Sequence, residues 1–196
     1  MKKVTFTIKG ITPYLYHKFN IEQLSNKSKT KSGSAGNDPE EWKTTIWNEG
    51  KRLFIPGFYF FSCICAGAQY VKQGRGSIAK KLAGCLLIKS DKCFLNRELE
   101  EAIENCETEN MSKDSSRAVY LDIRGVKNPA TKGKNVRYRL ALSPGWETDV
   151  ECEFDDTVIS KEEFKRALEA SGKFAGIGDA RLIGHGRFEV YDIKFS

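Results

Sequence analysis

Five glycines fall within the seventeen residues from Gly172 to Phe188, and this stretch constrains the chain more than any other. An amphipathic helix pattern precedes it and a strand pattern follows it. Glycine admits positive φ and lets the backbone approach another backbone or a phosphate closely. Successive amide N–H groups in such a loop form an anion-binding concavity. Arg181, His185 and Arg187 add donors and positive charge to the same loop. The loop therefore reads as an anion site built from the amides around Gly176, Gly178, Gly184 and Gly186 and from those three side chains. The competing reading is a structural connection, with Gly172 as the C-cap of the preceding helix.

The rest of the chain supplies a frame. Val4 to Lys9 alternates as a half-buried strand does. Ile11 to Phe19 extends it, with Pro13 arguing against a central ladder. There Tyr14 and Tyr16 interleave with His17 and Lys18, a pattern that stacks bases and holds phosphates, although strand aromatics also build cores. Residues 20–37 are rich in Lys, Ser and Gly and read as a flexible insertion. A short helix is expected before Trp47, an extended piece at Arg52–Pro56, and a helix packed on a sheet over the dense apolar run Gly57–Lys72. A strand is expected at Gly84–Ile88 and a helix at Arg97–Cys106.

Residues 107–142 read as a basic insertion or hairpin arm. Between Lys113 and Arg139, eight basic residues stand against Asp114 and Asp122 alone. Such a concentration attracts phosphate, with affinity falling as salt rises. The strands Ala118–Val126 and Val136–Leu142 place Arg137 and Arg139 on one face, with Lys132 and Lys134 near the tip. Thr148–Phe154 is a further strand. Ser160-Lys161-Glu162-Glu163 is a capping box that opens a helix through Ala170, and Arg187–Phe195 closes the chain as a strand. Without its insertions the order is strand, helix, strand, strand, helix, strand. That is an α+β chain with a ferredoxin-like (RRM-like) βαββαβ core, inserted loops and a β-hairpin arm.

Composition narrows the function classes. The 196 residues suit one domain, 1–196, with 40% hydrophobic and 30% charged content and a net charge of +6. No apolar run reaches a membrane span, and the first residues lack the apolar run of a signal peptide. The expected location is therefore the cytoplasm, with no membrane partner. None of the six cysteines forms a Cys-x-x-Cys pair and neither histidine lies near them, so neither a metal nor a cofactor is called for. Asp179 reads as a turn residue or a partner of Arg181.

Gly176-Ile177-Gly178-Asp179-Ala180-Arg181-Leu182-Ile183-Gly184-His185-Gly186-Arg187-Phe188 resembles the glycine-rich loop of the RAMP superfamily, the repeat-associated RNA-binding proteins of CRISPR effector complexes. The strand leading into Ile11-Thr12-Pro13-Tyr14, and Ile55-Pro56-Gly57 before an apolar helix, are similar to the same pattern. The chain looks nearest to phage-encoded relatives of that group, which implies a bacterial host or phage-infected cell. The resemblance implies single-stranded nucleic acid held by its backbone, often by arrays of like subunits. It also implies that some members cut RNA without a metal, using histidine.

Three functions follow as expectations. The first is a non-enzymatic binder of single-stranded RNA or DNA. In it Arg181, Arg187 and the loop amides hold phosphates, Lys132, Lys134, Arg137 and Arg139 extend the groove, and Tyr14 or Tyr16 stacks a base. The second is a metal-independent ribonuclease with His17 or His185 as acid or base. The third is a structural module whose basic arm meets a protein partner.

Overall fold

The computed structural model describes residues 1–19, 38–127 and 133–196. The insertion read at 20–37, and Lys132, lie outside the described residues. The frame is a four-stranded antiparallel sheet of β1 (Lys2–Gly10), β7 (Leu87–Ile88), β11 (Glu147–Phe154) and β12 (Phe188–Phe195), in the order β12-β1-β11-β7. β1 pairs antiparallel with both β11 and β12, through Val4↔Cys152 and Ile8↔Val190 among others. The alternation of β1 is genuine: Val4, Phe6 and Ile8 are buried, with Val150, Cys152 and Phe154 of β11 beside them. The opposite face is polar, with Lys3 bound to Glu151 at 2.8 Å and the Thr7 hydroxyl donating to Asp149 at 2.6 Å.

Three further sheets flank this one. β2 (Tyr14–Leu15), β9 (Val119–Lys127) and β10 (Lys134–Leu142) form one, in the order β2-β10-β9. β3 (Asn48–Glu49), β4 (Arg52–Pro56) and β8 (Lys92–Glu98) form another, in the order β3-β4-β8. β5 (Lys72–Gln73) and β6 (Gly76–Ser77) make a small hairpin. The described residues hold four α-helices: α1 (Glu41–Thr44), α2 (Gly57–Ala68), α3 (Ala79–Cys85) and α4 (Lys161–Ala170).

The capping box forms as read. The Ser160 hydroxyl accepts from the Glu163 amide at 3.2 Å, and the Glu163 carboxylate accepts from the Ser160 amide at 3.0 Å. Phe164, Ala167 and Leu168 then face inward, and Phe164 stacks on Phe154 with centroids 4.3 Å apart. α2 buries Phe60, Cys63, Ile64, Gly67 and Ala68, a stripe at helical spacing.

Three local expectations fail. Of the strand expected at Gly84–Ile88 only Leu87–Ile88 forms, because Gly84 and Cys85 belong to α3. Arg97–Cys106 is not a helix: the chain to Glu98 is strand β8, whose register with β4 buries Cys93 and Leu95, and only Ile103–Asn105 makes a 3₁₀ turn. Gly172 is not a C-cap either. The helix continues through a π-type turn, Ser171–Ala175, and ends at Gly176 with φ 73°.

That turn packs closely on α2. A Cβ on Gly67 would overlap the backbone of Ser171 and Ala167, so α2 and α4 touch backbone to backbone. Gly67→Ala is expected to cost roughly 1–3 kcal/mol by overpacking. Gly84→Ala, in α3 with open space around it, is expected to stabilise by up to about 1 kcal/mol through helix propensity. Urea unfolding of the two variants checks the opposite signs.

Candidate nucleic-acid interface

The glycine loop is organised by the segment beneath it. The amides of Asp179 and Gly186 donate to the carbonyls of Leu15 and Pro13, at 2.9 and 2.8 Å. Gly178 (φ 86°) lies on Tyr14, where a Cβ would come within 2.6 Å of the ring and 2.8 Å of the Leu15 carbonyl. At Gly186 (φ 68°) a Cβ would run into the Ile177 carbonyl. Both positions therefore require glycine twice over, for conformation and for space. Below the loop, the buried Cys63 thiol donates to the Gly176 carbonyl at 3.1 Å. Burial pushes that thiol up to about 12, which keeps the donor proton in place.

This packing turns the loop amides inward. Gly176 donates to Ser171, Ile177 to Gly186, Gly184 to Arg181 and His185 to Ala180. Of the four glycine amides expected to hold phosphate, Gly176, Gly184 and Gly186 are thus taken up within the protein. The amide of Gly178 has no partner among the described residues.

Tyr14 and Tyr16 are fully buried, with rings in edge contact at 4.8 Å, and are unavailable to a base. Burial raises both phenols well above their ordinary range. They face inward because β2 pairs with β10 through Leu15↔Ala141 and Tyr14↔Leu142.

The hairpin arm forms over β9 and β10 in register from Val119↔Leu142 to Lys127↔Lys134. Arg137 and Arg139 share a face, as read, but neither is a free cation. Arg137 pairs with the buried carboxylate of Glu41 in α1. Arg139 is buried, and its Nε lies 3.0 Å from Asp179 Oδ2, an ion-pair distance without hydrogen-bond alignment. Asp179 therefore neutralises Arg139 rather than Arg181, while its Oδ1 accepts from the Ala180 amide at 2.7 Å.

His185 is buried, and its Nε2 sits 2.9 Å from Arg124 Nη1. A guanidinium only donates, so Nε2 accepts and the imidazole proton resides on Nδ1. Nδ1 makes no well-aligned hydrogen bond among the described residues, although the Pro13 carbonyl acts on the ring. Arg124 is held in turn by Asp122 at 2.7 Å. Desolvation lowers the His185 pKa, Arg124 and Arg139 lower it further, and Asp122 and the Pro13 carbonyl oppose them. The His17 pKa is also lowered. Desolvation is the main cause, Arg137 and Arg139 reinforce it, and Asp179 and Glu41 oppose it.

Two depressions flank the loop. A cleft of about 300 Å³ is lined by His17, Phe58, Tyr59, Ser62, Ile177, Gly178, Asp179 and Arg181. His185 does not line it. A groove of about 970 Å³ runs between the glycine loop, the end of α2 and β9. Its walls carry Arg124, Lys127, Arg139, Arg181 and Arg187, with Asp179 the one acid among the described residues. Once Arg139–Asp179 and Arg124–Asp122 are set aside, Lys127, Arg181 and Arg187 have no acidic partner among the described residues. Lys134 is the cross-strand neighbour of Lys127 and extends the positive field at the end of the arm.

The structure thus joins Arg181 and Arg187 to Arg124 and Lys127. It sends His17 to the cleft and buries Tyr14, Tyr16, Arg139 and His185. Two aromatics unnoticed in the sequence, Tyr70 and Phe174, also line the groove. Little in the sequence marks them: Tyr70 continues the row of Cys63 and Gly67 at i, i+4, i+7 spacing and so reads as core, and the π-type turn shifts the phase at Phe174. Among the described residues no group of three His, Cys, Asp or Glu is placed to hold a metal ion, and no helix is long and apolar enough to cross a membrane.

No protein-family model matches the sequence, and no curated protein does. Solved structures resemble the fold. A chain of the Type III-B Cmr-beta complex, solved bound to cognate target RNA, matches 99% of this chain at 14% identity and a TM-score of 0.56. This chain spans 60% of the length of that one. Cmr6 from Pyrococcus furiosus matches 97% of this chain and 99% of its own, at 9% identity and a TM-score of 0.47. A chain of a Type IV-B CRISPR complex matches 98% of this chain and 90% of its own, at 10% identity and a TM-score of 0.46. The chain thus shares its fold with that chain of the Type III-B Cmr-beta complex.

The His185 geometry predicts a pH dependence. With the folded pKa below the unfolded value of about 6.5, the unfolded chain takes up a proton first as pH falls. Stability is therefore fully present above that value and declines below it. His185→Gln keeps an acceptor for Arg124 but cannot titrate. Chemical unfolding between pH 7 and pH 5 is expected to show a shallower loss in this variant, the remainder including the same-signed contribution of His17.

Proposed function

We propose that this chain is a non-enzymatic binder of single-stranded nucleic acid, and that the strand's phosphates lie in the groove between the glycine loop and the β9–β10 arm. The observation that carries this reading is the convergence of Lys127, Arg181 and Arg187, without acidic partners among the described residues, on one groove. Phosphate contacts of this kind position a backbone and carry little sequence information. They do not require a 2′-hydroxyl, so RNA and DNA are both ligands in this reading.

Two observations support it. The Type III-B Cmr-beta complex that contains the chain of similar fold was solved bound to cognate target RNA. The order β1, α2, β7, β11, α4, β12, with the sheet running β12-β1-β11-β7, supports our assignment of the chain to a ferredoxin-like βαββαβ core. Alignment of like copies along one strand belongs to the same reading.

The test is a titration of labelled single-stranded RNA and DNA at several salt concentrations. Three phosphate contacts at about −0.7 each predict a slope of log K against log salt of about −2. Arg181→Ala, at an exposed position, is expected to make the slope shallower by about 0.7. Failure of both nucleic acids to bind at low salt would remove the reading.

A second reading rests on the cleft, where His17, with its lowered pKa, stands with Ser62, Asp179 and Arg181. That grouping gives general-base chemistry on RNA a foothold. We expect the purified protein to leave RNA intact in chelator. Chelator-resistant cleavage that disappears in a folded His17→Ala variant would make the ribonuclease reading the correct one.

A further inference from the structure

The cations of the groove account for phosphates and leave its aromatic end unexplained. Tyr70 lies just past α2, and Phe174 stands in the π-type turn after α4. The close approach of those elements at Gly67 and Ser171 brings the two rings together. Their centroids are 4.7 Å apart with planes tilted by 30°. Both are solvent-exposed, Tyr70 by 57% and Phe174 by 43%.

This spacing excludes a base between the rings, since they already stack on each other. Phe174 is further contacted by the Lys173 ammonium, 5.4 Å from its centroid. Tyr70 has no other ring or cation partner among the described residues. Its outer face is the open surface of the pair, at the edge of a groove whose uncompensated charge is positive. Anionic ligands that also offer a flat apolar face are nucleotides, and stacking on an aromatic ring is how single strands are held without sequence readout.

We propose that Tyr70, backed by Phe174, is a stacking platform for one unpaired base of a strand whose phosphates lie along Lys127, Arg181 and Arg187. The inference rests on the groove reading and adds to it a source of strand selectivity. In a duplex the bases are stacked on one another and cannot reach the platform, so the aromatic pair rewards single strands where phosphate contacts alone would not.

The experiment compares wild type, Tyr70→Ala and Tyr70→Trp on a short oligouridylate, on an abasic strand of equal length and on a duplex. Tyr70→Ala is expected to weaken binding of the intact strand by about five- to a hundredfold, with no change in salt slope because no phosphate contact is lost. On the abasic strand and on the duplex the two proteins should bind alike. Tyr70→Trp should retain affinity, and its added indole emission should be quenched by the intact strand. The platform is overturned if Tyr70→Ala binds the intact strand like wild type, or loses as much on the abasic strand. If wild type binds the strands with the predicted salt slope while Tyr70→Ala is unaffected, only the platform falls. If wild type binds no strand at low salt, the groove reading falls with it.

Discussion

Both walls of the groove are fastened to the same few residues, Pro13 to Tyr16. The carbonyls of Pro13 and Leu15 receive the amides of Gly186 and Asp179 from the glycine loop, and the Tyr16 amide donates to the Leu140 carbonyl of β10 at 3.0 Å. Tyr14 and Leu15 pair with the same strand. The segment is in turn fixed by burial. Tyr14 packs against Tyr16 and, at 5.5 Å, against Trp146, whose indole donates to the Thr12 carbonyl at 2.9 Å. The loop and the root of the arm are therefore held at a set separation before any ligand arrives. A site built this way loses less conformational freedom on binding than two independently mobile elements would.

Depth then sorts the charges. A buried cation is tolerated only with a partner, and the arginines nearest the core have one: Arg137 with Glu41, Arg139 with Asp179. Arg124 is exposed yet held by Asp122 and by His185, and the half-buried Arg187 is the exception, with a buried Nη that lacks a partner among the described residues. Toward the rim the partners end, and Lys127 and Arg181 stand in solvent without one among the described residues. One basic stretch thus performs two tasks. Its inner members brace the hairpin against α1 and the glycine loop, and its outer members leave their charge available.

Much of the frame is legible in the sequence because local rules govern it. Alternation in β1 and β11, the Ser160 capping box and the stripe of α2 all appear where their patterns place them. The glycine loop also sits between the last helix and the last strand, as its composition indicates. What is not legible depends on contacts distant in the chain. Alternating aromatics look alike whether they face solvent or a core, and only the pairing of Leu15 with Ala141 turns Tyr14 and Tyr16 inward. Likewise a count of basic residues cannot separate Arg139, matched by an aspartate forty positions away, from Lys127. Tyr70 and Phe174 lie more than a hundred residues apart, and their meeting follows from the close crossing at Gly67.

The inward turn of the loop amides changes what kind of anion site this can be. Where a glycine loop offers its N–H groups to solvent, the backbone itself binds phosphate and side-chain identity matters little. Here the requirement for glycine at Gly178 and Gly186 comes from packing against Tyr14 and Ile177, and most of the amides are consumed by that packing. The loop's contribution to an anion then shifts to the Arg181 and Arg187 side chains it carries. Charges on side chains at a rim act over roughly a Debye length, about 8 Å at physiological salt. The loop's glycines make the shape, and the residues between and beside them make the field. Shape and charge can change separately: a glycine substitution alters the groove by moving its wall, whereas substitution of the exposed Arg181 alters its charge while leaving the wall in place.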